Sequence, residues 1–444
     1  MEKLGSALYV FAIAFLAFVT GAFVMLLDVF PADPIRHSYA AGQALLAKQN
    51  MSRDKYATDQ WREARRPEKG VTTRMPGALE GYTLYTSGDS ARARLVALDG
   101  TLVHEWYRPY SSLWREGAAV KKPQPDELVF MNKARVLPDG GLLAIYEAAG
   151  DTPWGYGMAR LDRDANVLWS YLEHTHHDFD IAPDGRILVL THAFTSERIE
   201  GFAQLGGPRL DDFAVVLSAN GKELRKVSLT KALANSRYRT FLHAMPVFST
   251  ADPLHTNTIK YVTPARAAVF PHAQAGDVLL SFRDLGVVAV LDLEREAIVW
   301  ASRGPWVGQH DPSVLDDGRL LVFDNLGGFE PGNDSRVLEL DPRTLGVLWA
   351  YRGSRERPFS SPLRSAAQRL RNGNTLITES DGGRLLETNR AGELVWEYLN
   401  PIRGGAGERY VPVVTWGQRI TPDQLDADFA AALAQRTADV AALN

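Results

Sequence analysis

A unit of two hairpins recurs along this sequence and leaves few folds open to it. The outer hairpin ends in an aromatic residue, as in Leu95-Val-Ala-Leu-Asp-Gly-Thr-Leu-Val-His-Glu-Trp106 and Leu161-Asp-Arg-Asp-Ala-Asn-Val-Leu-Trp169. It returns from Leu291 to Trp300, from Leu340 to Trp349 and from Glu387 to Trp396, and a copy from Val216 to Leu224 lacks the tryptophan. The inner hairpin turns at Leu137-Pro-Asp-Gly140, Ala182-Pro-Asp-Gly185, Ala275-Gly-Asp277, Leu315-Asp-Asp-Gly318 and Leu370-Arg-Asn-Gly373. Each turn leads into an apolar, β-branched run of the kind that forms a buried strand. The turns are spaced 45, about 91, 42 and 55 residues apart, the long gap holding an insertion from about Asn235 to Phe270. Two hairpins make a four-stranded sheet that cannot cover both of its own faces. Copies stacked around an axis cover them and leave only short edges. With an incomplete copy at 80–108 there are six units, and the sequence predicts an all-β fold, a six-bladed β-propeller over 79–420.

The segments on either side of the repeats are different. From Ala7 to Leu27 run twenty-one uncharged residues, long enough to cross a hydrocarbon core of about 30 Å. Asp28-Val-Phe-Pro-Ala-Asp-Pro comes next without a small-residue cleavage site, so 1–30 reads as a transmembrane signal-anchor helix rather than a removed signal. A single span ahead of a large C-terminal body reads as a membrane anchor with that body exported. Residues 31–78 read as a linker, with Ser38 to Arg66 having the composition of a stalk helix. After the repeats, Thr421-Pro-Asp opens a C-terminal helix over 421–444, with Leu425, Phe429, Leu433 and Val440 as its packing residues.

Composition removes several functions. The net charge is -4 with no basic stripe, so nucleic acid is not an expected partner. There are no cysteines, which excludes disulfides, thiolate metal sites and cysteine nucleophiles. No Gly-x-Ser-x-Gly elbow, phosphate-binding loop or dinucleotide fingerprint occurs.

In a propeller the inner strands line one channel, so equal offsets from the turns converge in space. Eight residues before Gly185 and Gly318 stand His177 and His310, each followed by aspartate. Six residues after the turns come Tyr146, Thr191, Arg283, Asp324 and Glu379, and His255 leads into the inner strand of the unit that holds Arg283. Imidazoles serve as nucleophile or general acid–base, and a guanidinium offers a fixed fork of donors to oxyanions. That set suits transfer of an anionic group. Matched offsets argue for function at His177 and His310, against the alternative of buried structural histidines. His174 and His176 share a strand face and, with Asp180, would make an unusual metal site; no metal is expected. His104, His192, His243 and His272 read as structural or surface residues, and Arg336, Arg384 and Glu379 as inter-blade ion-pair residues.

The segments His176-His-Asp-Phe, Leu254-His-Thr-Asn-Thr-Ile, Leu280-Ser-Phe-Arg283, Gln309-His-Asp-Pro with Phe323-Asp-Asn, and Asn374-Thr-Leu-Ile-Thr-Glu-Ser carry a resemblance. Together, and in order from about 80 to 420, they are similar to those of the bacterial arylsulfotransferase family. The chain resembles that family's shorter branch and lacks the cysteine pair of some members. The resemblance implies a periplasmic six-bladed propeller and a PAPS-independent, ping-pong transfer of a sulfuryl group from a phenolic sulfate ester to another hydroxyl. By position, His310 matches the histidine that is transiently sulfated. His177, His255 and Arg283 match residues that bind sulfuryl oxygens and assist proton transfer. Asp324, Asn325, Asn257 and Glu379 join the expected site as substrate-binding residues, with Asp324 and Asn325 also read as ties of the channel loop or as orienting His310. No cofactor is implied; the partners are an aryl sulfate donor, a hydroxyl acceptor and the membrane. Two alternatives remain at this point: a non-catalytic propeller binding a glycan, lipid headgroup or protein, and a metal-dependent hydrolase.

Overall fold

The computed structural model of the protein describes residues 2–27, 29–32, 35, 54–205, 207–246 and 249–443. The chain divides into two compact units, 1–57 and 58–444. The first contains the helix Glu2–Leu27. Its stretch Leu8–Leu27 has a mean hydropathy of 2.7 with no share of it buried, so it has the length and composition to cross a membrane.

The second unit is a six-bladed propeller of antiparallel sheets. Blades two to five each fold from one continuous stretch, beginning with the inner strands Val129–Val136, Thr175–Ile181, Thr256–Tyr261 and His310–Val314. Blade six begins at Ala366–Arg369. Blade one is the incomplete copy, and its missing inner strand comes from the other end of the repeats: Val414–Ile420 pairs with Tyr82–Ser87. Inner strands of consecutive blades touch all the way round, so the ring closes. The inner turns share one conformation, with Gly140, Gly185, Gly318 and Gly373 at φ between 82° and 88°, where a side chain is disfavoured.

Strand alternation gives each blade two apolar faces, and every gap between neighbours is filled. Six separate hydrophobic clusters lie one between each pair of adjacent blades. The repeat tryptophans stitch these gaps. Trp106 Nε1 donates to Gly140 O of the next blade at 3.1 Å, and Trp396 Nε1 to Leu98 O at 2.8 Å. The C-terminal helix Ala427–Leu443 drops Phe429 and Leu433 into the cluster between blades one and two. Thr421 caps only the short turn Pro422–Gln424, and the helix proper begins after it.

The expected linker takes another form. Of the stalk helix placed at Ser38 to Arg66, residues 38–53 lie outside the described residues. The chain beyond Ala57 is not helical: Trp61–Glu63 pairs with Tyr410–Pro412, and Gly70–Arg74 is a fifth strand on blade six. The arginines that gave this stretch its helical composition instead reach carboxylates on the propeller. Arg62, Arg65 and Arg66 bond Asp381, Glu379 and Glu397 at 2.7, 2.8 and 2.8 Å.

Candidate active site

The candidate histidines owe their position to bulges in the inner strands. Pairing registers shift between Thr175 and Phe179 in blade three, Thr256 and Thr258 in blade four, and His310 and Ser313 in blade five. A bulge adds a residue to one strand and re-aims its side chains. The backbone is left-handed at His177 (φ 55°), His255 (φ 46°) and Asp311 (φ 51°), which for residues other than glycine is held only by surrounding structure. The two His-Asp pairs then divide their work. Asp178 accepts from Ile259 N of the next blade and pairs with Lys133 of the preceding one. Asp311 does the same with Ala367 N and Lys260. Each aspartate sutures three blades while its neighbouring histidine faces the histidine cluster.

His310 is buried, with its orientation fixed by two acceptors. Its Nδ1 lies 2.8 Å from Asn325 Oδ1 and 3.0 Å from Gly308 O. The amide of Asn325 cannot flip without loss, because its Nδ2 donates to Ser361 O at 2.7 Å and Arg364 O at 2.9 Å. Two carbonyl-type oxygens at Nδ1 require the hydrogen there, so the lone pair of the neutral ring sits on Nε2. Burial, with the charges of Arg283 and His255 nearby, pushes His310 down to about 3, so the ring is neutral at physiological pH. The segment is held from blade four by Asn257, whose Nδ2 donates to Gln309 O at 2.8 Å, and by Gln309 Nε2 on Ser281 Oγ at 3.1 Å.

His255 behaves in the opposite way. Burial disfavours its charge, but Asp252 Oδ2 at 2.6 Å from its Nδ1 wins and holds it above the ordinary imidazole range. Its ring meets that of His177 edge-on with centroids 5.3 Å apart. His177 is driven well below 6.5 by burial and by its histidine neighbours His176, His255 and His310. Its Nδ1 is 2.7 Å from Nδ1 of His176. Arg283 stands directly after the second strand of blade four; Nη1 bonds Asp284 at 2.9 Å, and its buried Nε has no hydrogen-bond partner. One guanidinium, one imidazole held above its ordinary range, one held well below it and one Nε2 lone pair therefore share a half-buried polar cluster.

The other expected residues lie elsewhere in the network. Asp324 is wholly engaged: it accepts from Val307 N at 2.8 Å and Gly327 N at 3.1 Å, and pairs with Arg336 at 2.5 Å. Asn257 and Asn325 bind protein groups, and both act on the His310 segment. Glu379 is bonded by Arg65, Arg384 and Ser360 N and lines a separate cavity of about 420 Å³ with Arg66, Arg357 and Arg403. Its carboxylate is spent on ion pairs within and against blade six, not on the cluster of histidines. The trio His174, His176 and Asp180, weighed as an unusual metal site, also separates, since Asp180 takes Arg135 and Tyr261 N. A larger cavity of about 990 Å³ is lined by Arg135, Lys260, Asp311, Arg369 and Arg419, and by none of His177, His255, Arg283 or His310.

Sequence reasoning missed several members. Asp252 had a signal, standing three residues before His255. Glu147, which bonds His177 N at 3.2 Å and Asn132 Nδ2 at 2.9 Å, had none beyond its place on an inner hairpin. Arg364, whose buried Nη1 lacks a partner while Nη2 pairs with Asp59, precedes a strand at no repeated offset. His192, read as structural, lies with His176 and Asp212 in the one group among the described residues with the spacing to hold a metal ion.

With this geometry in place, the sequence model described as arylsulfotransferase (ASST) matches residues 133–401, more than half of the chain. The chain belongs to the arylsulfotransferase family. No curated protein matches it. Among solved structures it is similar to a protein of unknown function from Bacteroides caccae, at 14% identity and a TM-score of 0.46, covering 76% of this chain and 99% of that one. It is also similar to virginiamycin B lyase from Staphylococcus aureus, at 11% identity and a TM-score of 0.38, covering 79% and 90%. The arylsulfotransferase match runs from blade two into blade six and takes in His177, His255, Arg283, His310 and Asn325; it omits all of blade one, the closing strand included. Membership of the arylsulfotransferase family supports a sulfotransferase enzyme acting on aryl sulfate and an acceptor.

Proposed function

We propose that this protein transfers a sulfuryl group from a phenolic sulfate ester to a phenolic or other hydroxyl acceptor, through a sulfated His310. The observation that carries the reading is the pair of acceptors on His310 Nδ1, which leaves an Nε2 lone pair on a ring that burial keeps neutral. In the first half-reaction Nε2 attacks sulfur, the S–O bond to the aryl group breaks, and His255 gives its proton to the departing phenolate. The products are a phenol and an N–S linked enzyme. In the second, neutral His255 takes the proton of the acceptor hydroxyl, that oxygen attacks sulfur, and the N–S electrons return to Nε2. Arg283 and His177 donate to the sulfuryl oxygens, where charge accumulates in both transition states. Asp252 keeps His255 ready to carry the proton.

On this reading the helix over 1–30 is a single-pass inner-membrane anchor and the propeller works in the periplasm, where it meets donor and acceptor. The experiment that tests the chemistry is mass spectrometry after brief exposure to 4-nitrophenyl sulfate with no acceptor. A gain of one sulfuryl group mapped to His310, absent from a folded His310→Ala protein, is the expected result. A folded His310→Ala protein that transfers at the wild-type rate sinks the assignment. Absence of both adduct and nitrophenol release from the wild type points instead to a propeller that only binds.

A further inference from the structure

Next to the cluster assigned to transfer, two imidazoles and a carboxylate converge on a point that no protein group uses. His192 and Asp212 are direct register partners on the second and third strands of blade three, and His176 stands beside them on the inner strand. Their donor atoms all lie within 4.8 Å of one another, and His176 Nε2 is 3.6 Å from Asp212 Oδ1. The two rings are stacked, with centroids 4.5 Å apart. All three residues are at most 4% exposed. Neither His176 Nε2 nor His192 Nε2 has a hydrogen-bond partner among the described residues.

A buried ring nitrogen with no partner is costly, and natural cores rarely leave one. Here one such nitrogen, His176 Nε2, lies 3.6 Å from the Asp212 carboxylate, and His192 brings a ring nitrogen within 4.8 Å of the same group. That carboxylate is also oriented: Thr256 N donates to its Oδ2 at 2.8 Å, which leaves Oδ1 aimed at the histidines. Supporting bonds of this kind are what fix ligands around an ion.

We propose that His176, His192 and Asp212 bind a divalent transition-metal ion, zinc by ligand type. Two imidazoles and a carboxylate make a three-ligand tetrahedral set whose fourth position takes water. Bonds of about 2.0–2.2 Å put tetrahedral ligands roughly 3.3 Å apart, so the His176–Asp212 pair needs little movement, while His192 turns from its stack on His176 to complete the set. A metal on Nε2 of His176 leaves hydrogen on its Nδ1, which then donates to His177 Nδ1 2.7 Å away. His177 must therefore carry its own hydrogen on Nε2, as a donor. The ion sets the tautomer of His177 without touching substrate. That consequence rests on the function proposed above; the binding of the ion does not.

The test uses the full chain in detergent, stripped with EDTA and titrated with Zn²⁺ against a chromogenic chelator, with bound metal read by elemental mass spectrometry. The expected result is one equivalent of zinc in the wild type and in His310→Ala, with affinity at least tenfold weaker in His192→Asn and in Asp212→Asn. Asp212→Asn keeps an oxygen for Thr256 N and so preserves the fold if His192→Asn does not. Wild-type protein that holds no equivalent of zinc overturns the proposal. So does an equivalent that survives both substitutions, or one lost in His310→Ala, which would place the ion on the transfer histidines.

Discussion

Asn325 and His310 stand at opposite ends of one hairpin, fifteen residues apart, and meet through a 2.8 Å contact between Asn325 Oδ1 and His310 Nδ1. That contact chooses which nitrogen of the neutral ring carries the lone pair. Asn325→Ala is expected to lower kcat by about 10–100-fold, as loss of an orienting partner does elsewhere, with a smaller change in KM. It also leaves Ser361 O and Arg364 O without their donor, so stability should fall by about 1–3 kcal/mol. Steady-state kinetics with 4-nitrophenyl sulfate and a denaturation curve measure the two effects. Unchanged kcat in a destabilised protein would make Asn325 a loop tie and nothing more.

The pH profile depends on two histidines pushed in opposite directions. His310, held down to about 3, stays unprotonated throughout the neutral range, so the donor half-reaction should not fall with acid at the ordinary imidazole value near 6.5. His255, held up by Asp252, must start protonated, so the donor half-reaction should decline as pH rises through its pKa. Asp252→Asn removes the partner that holds it up and should move this alkaline limb to lower pH. A limb that stays where it was in Asp252→Asn assigns the acid to another group.

Arg283 supplies a planar fork, of which the buried Nε is unpartnered inside the protein. Arg283→Ala is expected to cost about 10²–10³ in kcat, the usual loss for a donor aimed at developing charge. Arg283→Lys keeps the charge without the fork and should recover only part of it. Equal rates for the lysine variant and wild type would reduce the role of Arg283 to charge alone.

Asp324 is the contrasting case, a fully buried carboxylate bound to Arg336 and two loop N–H groups. Asp324→Ala leaves an uncompensated guanidinium and is expected to cost about 3–5 kcal/mol of stability. The folded fraction should keep transfer within tenfold of wild type. A thermal melt alongside activity per folded molecule separates this outcome from direct substrate binding.

The fold was legible because repetition shows in one sequence: the Asp-Gly turns and terminal tryptophans mark hairpins whatever their neighbours are. His177 and His310 were legible for the same reason, as equal offsets in equal strands. Their bulged, left-handed backbone was not, since nothing local in His-Asp announces it. Glu379 sat at the offset of Asp324; its reading as an ion-pair residue matches the structure, but offset fixes the strand position and not the partner. Its partner, Arg65, comes from the stretch read as linker, over three hundred residues away along the chain. Ion pairs at that separation arise from tertiary packing, which composition does not encode. Asp252 and His192 were visible as residue types, but their pairing depends on which neighbouring strand each one faces.

The strand Val414–Ile420 supplies side chains to two of the six interblade clusters, Ile420 to one and Val414 to the other. On the ribosome this strand emerges after every residue of the histidine cluster has been made. A stop codon just upstream of Val414 would therefore yield a chain with its reactive groups intact and its first blade open along Tyr82–Ser87. Such a product exposes an unpaired strand edge and is a target for proteases before it is a catalyst. Genetic lesions that remove the codons for Val414–Ile420 should accordingly score as null alleles.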